Sequence, residues 1–322
     1  MRFLPSGSSP DAAILVSARA VRAFGDGFIS VLLPLYLAKL GFSGFRIGAV
    51  TTSTLLGSAA LTLLVGLVSY RLKRRSLLLT AALLMTATGL GFAYVHAFWP
   101  LLLVAFVGTL NPSSGDVSVF LLLELALLPQ TVSDRSRTAL FARYSLAASL
   151  VAACGALFAA VPVIIAAHTA INFTQAVEGM FLVYAVLALV ALSLYRRLSP
   201  AIEPNNGMPD APLRDSKRIV YTLAALFSLD SFGGGFVGQA LLALWLFERF
   251  HLSLATAATI FFWTGVCSAF SYLVAVRLAE RIGLIKTMVC SHLPSNLFLV
   301  LVAFMPNLPL EARSLNREDS QQ

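Results

Sequence analysis

Ionisable side chains inside the apolar runs of this sequence concentrate in three of them: Arg19, Arg22 and Asp26 in the first run, Asp116 and Glu124 in the fourth, and Asp230 in the seventh. Each costs about 2.5 to 3.5 kcal/mol to place at membrane depth, so such groups pair with one another or line a polar cavity. Arg19, Arg22 and Asp26 are spaced i, i+3, i+7, which lays them along one stripe of a helix. Arg22 then lies about 6 Å from Asp26 along the axis at 1.5 Å per residue. Two chemistries fit this stripe: a self-neutralising pair that lets the helix insert, or a site for a substrate anion or a proton.

The fourth run is interrupted by Asn111-Pro112-Ser113-Ser114-Gly115-Asp116. Proline removes a backbone donor, and the short polar side chains can satisfy the freed carbonyls. In transporters such breaks turn helix ends and unpaired carbonyls toward a substrate, whereas a plain proline kink capped by serines is the simpler alternative. Glu124 follows Asp116 by eight residues, about 80° around and 12 Å along a helix, on the same general side but nearer the cytoplasm. Asp230 is followed by Gly233, Gly234 and Gly235. The expected cavity set is therefore Arg22, Asp26, Asn111, Ser113, Ser114, Asp116, Glu124 and Asp230.

Other chemistries lack their residues. There is no H-E-x-x-H or G-x-S-x-G, and Ser114-Gly115-Asp116 lacks the first glycine of the aspartyl protease pattern G-x-G-D, so an intramembrane enzyme is a remote reading. No phosphate-binding loop is present to couple ATP, which leaves a proton gradient as the default energy source. Cys154, Cys267 and Cys290 have no paired spacing, His96, His168 and His251 sit at run edges, and His292 stands alone, so neither a metal nor a cofactor is expected.

The elements that carry these residues follow from composition. With 58% hydrophobic and 12% charged residues and a mean hydropathy of +0.84, the 322-residue chain has too little polar surface to coat a water-soluble globule. Its net charge of +8 is spread between apolar runs rather than gathered into a patch for nucleic acid, so the bilayer is its expected partner. Runs long enough to cross a bilayer lie near 13 to 38, 47 to 69, 76 to 95, 101 to 128, 139 to 167, 177 to 195, 219 to 247, 254 to 276 and 286 to 305. They lack the alternation of barrel strands, so the expected fold is an all-α polytopic membrane protein of about nine spans.

Arginine and lysine crowd the connections on one side, from Arg71 to Arg75, at Arg135 and Arg137, from Arg196 to Arg218, and from Arg277 to Lys286. The other side has only Lys39, Arg46 and Arg249, so the amino terminus is expected in the cytoplasm. The proline-rich stretch from Arg196 to Arg218 reads as a linker. It divides a six-helix bundle over 1–195 from three helices over 219–306, and a polar tail occupies 307–322.

Phe24-Gly25-Asp26-Gly27-Phe28 is echoed by Phe232-Gly233-Gly234-Gly235-Phe236, a spacing of 232 − 24 = 208. The loop after the second run carries Gly66, Tyr70, Arg71, Lys73, Arg74 and Arg75; the loop after the eighth carries Glu280, Arg281 and Gly283, and 281 − 71 = 210. These loops resemble the signature G-x-x-x-D-R-x-G-R-R of the major facilitator superfamily, with Tyr70 in place of the acid and Lys73 in place of the second glycine. The resemblance implies two pseudo-symmetric halves, a central cavity lined by helices 1, 4 and 7, and a cytoplasmic gating motif at Gly66, Arg71, Arg74, Arg75, Glu280, Arg281 and Gly283. It implies secondary transport of a small-molecule substrate by alternating access in a plasma membrane, the inner membrane of a bacterium. In that frame Arg22 and Asp230, one repeat apart, form an ion pair between halves that substrate or proton breaks; a pore-lining acid beside packing glycines is the alternative. Full members have twelve helices, so a truncated, transport-incompetent chain is the competing expectation.

Overall fold

The computed structural model describes residues 4–5, 7–69, 72–113, 117–203, 217–235, 238–283, 286–287 and 289–290. Every regular element among them is a helix, as backbone groups in lipid require. In chain order these are α1 (Pro10–Lys39), α2 (Gly44–Val68), α3 (Arg74–Tyr94), α4 (Phe98–Val107), α5 (Val119–Leu127), α6 (Arg137–Phe158), α7 (Val161–His168), α8 (Phe173–Tyr195), α9 (Lys217–Gly235), α10 (Gln239–Phe250) and α11 (Leu254–Ile282). Six stretches are long and apolar enough to cross a membrane: α1, α2, α3, α6 with α7, α8 and α11. The chain is an integral membrane protein.

Three expected spans are built from two helices each. The fourth is broken between α4 and α5, as the Asn111–Asp116 stretch anticipates, and residues 108–118 separate the pieces. The fifth turns at Ala159 and Ala160 before Pro162 opens α7. The seventh, expected as one helix over 219–247, is interrupted at Gly238, which is extended and caps α10, with residues 236–237 outside the described ones. Glycine at 238 explains the correction, since it costs a helix about 1 kcal/mol relative to alanine and presents no side chain to neighbours. The ninth expected span lies outside the described residues except at 286, 287, 289 and 290.

Lipid tails give helices no hydrophobic reason to associate, so close backbone approach has to hold them. The crossing of α1 and α6 shows how: a Cβ on Gly27 would overlap the Ala152 carbonyl, and one on Gly155 would overlap the Phe24 carbonyl. Through this reciprocal contact α1 runs buried between α6 and α8. On the far side α3 packs against α8, with Phe92 and Phe181 stacked at 5.3 Å and the Tyr36 hydroxyl donating to the Phe92 carbonyl at 3.0 Å. The later helices meet this bundle through α10 on α1 and α11 on α6.

Candidate functional site

The most deeply buried charges belong to α1 and α5. Arg22 is 1% exposed and Glu124 is 0% exposed, and Arg22 Nη2 donates to Glu124 Oε2 at 2.7 Å. Two tyrosines close the cluster. The Tyr195 hydroxyl, at the end of α8, accepts from Arg22 Nε at 3.1 Å and donates to Glu124 Oε1 at 2.5 Å. The Tyr144 hydroxyl of α6 donates to Glu124 Oε2. One carboxylate thus gathers donors from three other helices. Phe120, one turn before Glu124 on α5, places its ring 4.1 Å below the guanidinium carbon of Arg22 and stacks beside Tyr195 at 6.0 Å.

This arrangement satisfies a buried ion pair in the way that makes one tolerable, by direct contact plus hydrogen bonds to the remaining lone pairs. A cation over an aromatic face adds attraction where water is absent. The contact of Arg22 with Glu124 joins two helices and residues 102 apart in sequence. Asp26 is approached by Arg19, at 3.8 Å, and Arg19 also lies 6.0 Å from the Tyr144 ring. The Asp230 side chain lies outside the described residues, and with it the expected pair between halves.

Just before α5, the break in the fourth span forms a second cluster. Its backbone is held by side chains from three helices. Thr88 Oγ1 of α3 accepts from the Thr109 N–H at 3.2 Å, Tyr184 of α8 donates to the Thr109 carbonyl at 3.4 Å, and Ser58 of α2 donates to the Val117 carbonyl at 2.7 Å. Asn111, buried, accepts from the Ser113 N–H through Oδ1 at 3.2 Å. The Pro112 carbonyl accepts from the Ala240 N–H, in the first turn of α10, at 3.0 Å. Two broken spans therefore meet end to side, as the discontinuous helices of carriers do around a ligand. Thr109 Oγ1 is buried with no hydrogen-bond partner among the described residues. Ser114 and Asp116 lie outside the described residues.

The signature loop is locked by its own arginines. Arg74 Nη1 donates to the Ala126 carbonyl at 3.0 Å, and Arg75 Nη2 donates to the Arg196 carbonyl. Gly66 has open space around it, and Gly283 ends α11 at φ +86, a conformation that favours glycine. Arg281 is exposed, while Arg71 and the Glu280 side chain lie outside the described residues. Tyr144, Tyr195, Phe120 and Thr109 escaped the sequence reading. A tyrosine at a helix end is ordinary interfacial composition, and nothing local distinguishes these.

The family model of the Major Facilitator Superfamily matches residues 15–312. The chain belongs to that superfamily. Among relatives, it is 23% identical over 344 residues to the uncharacterized membrane protein YJR124C of Saccharomyces cerevisiae, covering 96% of this chain and 77% of that one. Among solved structures it shares the fold of a D-xylose-proton symporter, with a TM-score of 0.58 at 18% identity over 84% of this chain and 68% of the symporter. It superposes similarly on the xylose transporter XylE from E. coli in a partially occluded inward open conformation, with a TM-score of 0.56 at 17% identity over 84% and 74%. As a facilitator superfamily member the chain is a transmembrane transporter rather than an enzyme.

Proposed function

We propose that this facilitator superfamily member is a proton-coupled carrier of small polar solutes that works by alternating access in a plasma membrane with its amino terminus in the cytoplasm. The observation that carries the coupling is the buried Arg22–Glu124 pair with its two phenols. A proton on Glu124 removes the charge that Arg22 Nη2 contacts. Disturbing one partner of such a pair costs about 3–5 kcal/mol, enough to bias a two-state equilibrium by more than a hundredfold. The lateral contacts of Glu124 reach α1, α6 and α8, so a change there strains three helices at once.

The solute is best placed at the junction of the two broken spans, where Thr109, Asn111 and Ser113 adjoin the first turn of α10. The same junction supports an inward-facing reading. Where the chain leaves the outer surface, α10 rests on α1 and α2. In the inner half, Ile219, Tyr221, Leu226 and Leu229 of α9 are exposed among the described residues. One matched structure is a D-xylose-proton symporter and the other a xylose transporter, which makes D-xylose the first probe among pentoses, hexoses and polyols.

The test is reconstitution into proteoliposomes with an imposed pH gradient and radiolabelled solute. Gradient-driven accumulation is expected with the native chain. With Glu124→Gln, accumulation is lost while exchange of labelled for unlabelled solute continues. Accumulation by Glu124→Gln at the native rate would remove Glu124 from coupling.

A further inference from the structure

The first turn of α3 is capped by a side chain from far along the chain. Glu203 Oε2 accepts from the Arg74 N–H at 2.9 Å and Glu203 Oε1 from the Arg75 N–H at 2.8 Å, across more than 120 residues of sequence. A helix start leaves such N–H groups unsatisfied and its dipole favours an anion. Lys73, the N-cap, supplies no side-chain bond. The signature loop lacks its own acid, having Tyr70 there, and a carboxylate arrives instead from the connection between the two halves of the chain.

The residues leading to Glu203 are fastened with it. The Ser199 N–H donates to Asp11 Oδ1 in the first turn of α1 at 2.9 Å. Gln130, in the amide orientation that satisfies both its groups, donates to the Ile202 carbonyl at 2.7 Å and accepts from Arg74 Nη1 at 3.3 Å. Leu198 and Ile202 are 2% and 3% exposed, anchored in the same core as α1 and α8. The start of the stretch read as a linker is therefore a strap over the bundle end where α1 and α3 begin.

We propose that Glu203 is a positioning residue for the transport cycle: its carboxylate clamps 196–203 to the first bundle and so fixes the point from which the chain leaves that bundle for α9. Rocking of one half on the other needs a fixed point of departure if both end states are to be reached reproducibly.

The test uses the full chain in lipid nanodiscs, with Cys154, Cys267 and Cys290 replaced by serine and a reporter at Leu198→Cys or, separately, Ile202→Cys. Maleimide labels both reporters slowly while Glu203 is present. With Glu203→Ala, and in the same direction with the isosteric Glu203→Gln, labelling accelerates at least tenfold; Glu203→Asp restores most of the protection. Spin labels at Ser76→Cys on α3 and Thr222→Cys on α9, both exposed sites, report a distance distribution that broadens in Glu203→Ala and narrows again in Glu203→Asp. Equal labelling of both reporters with and without the carboxylate, or an unchanged distance distribution, overturns the clamp. Neither readout requires transport, so a failure here is separate from a failure of proton coupling.

Discussion

Glu124→Leu and Arg22→Met are not equivalent removals, and their double mutant separates a working network from a pair of independent contacts. Glu124→Leu withdraws the acceptor from three buried donors at once: Arg22 Nη2, the Tyr144 hydroxyl and the Tyr195 hydroxyl. Losing one partner of a buried ion pair costs about 3–5 kcal/mol, and each stranded hydroxyl adds about 1–3 kcal/mol before relaxation. We therefore expect a loss of about 5–11 kcal/mol before relaxation, large enough to lower the yield of folded protein. Arg22→Met leaves the carboxylate with both phenols still donating, and we expect about 3 kcal/mol. In the double mutant no charge of the pair remains, the apolar replacements fill a similar volume against Phe120, and the residual cost is that of two phenols, about 2–4 kcal/mol. The double mutant should thus be more stable than Glu124→Leu alone. Thermal unfolding of the purified chain in one detergent, followed by intrinsic fluorescence, measures the order. Changes of contacting residues that are independent would add to within about 0.5 kcal/mol. A double mutant as unstable as the sum of its singles would refute the network.

Ala240→Pro is a selective cut. Ala240 is the second residue of α10, where proline is tolerated, and the change removes only the N–H that reaches the Pro112 carbonyl. One such bond is worth about 0.5–1.5 kcal/mol, so the population with the outer contact closed should fall up to about tenfold, read as faster labelling of a cysteine on the outer part of α1, with α10 helicity unchanged. Thr109→Val deletes a buried hydroxyl oxygen that has no hydrogen-bond partner among the described residues, so stability should hold or rise by about 1 kcal/mol. Solute affinity should nonetheless drop if Thr109 belongs to the solute site, and an unchanged affinity in a binding titration would exclude it.

Hydropathy alone was enough to locate the six stretches long and apolar enough to cross a membrane, because a bilayer imposes a length of about 20 apolar residues whatever the packing. Breaks were less evenly legible. Pro112 announces one, since proline cannot donate to the helix and its neighbours are short and polar. The break at Gly238 was not expected, because isolated or clustered glycines are also common where membrane helices pack closely. Gly27 and Gly155, which do pack closely, look the same in sequence.

Pairings were the least legible layer. Arg22 and Glu124 stood out for the cost of their depth, but which acid meets which arginine depends on how α1, α5, α6 and α8 cross, and the close approaches of α1 to α6 and α8 at Gly25, Gly27 and Gly155 carry no mark of that pairing in sequence. The same limit explains Glu203. Its side chain sits in a proline-rich stretch whose composition argues for solvent, and no periodicity marks it as a cap. What calls it in is a vacancy elsewhere: α3 begins with Lys73, Arg74 and Arg75, three cations at the end of a helix that prefers anions, with no acid in its first turn. A basic helix start that still forms must import its negative charge. In a chain whose signature loop has lost its acid, an acid in the following connection is the place to search.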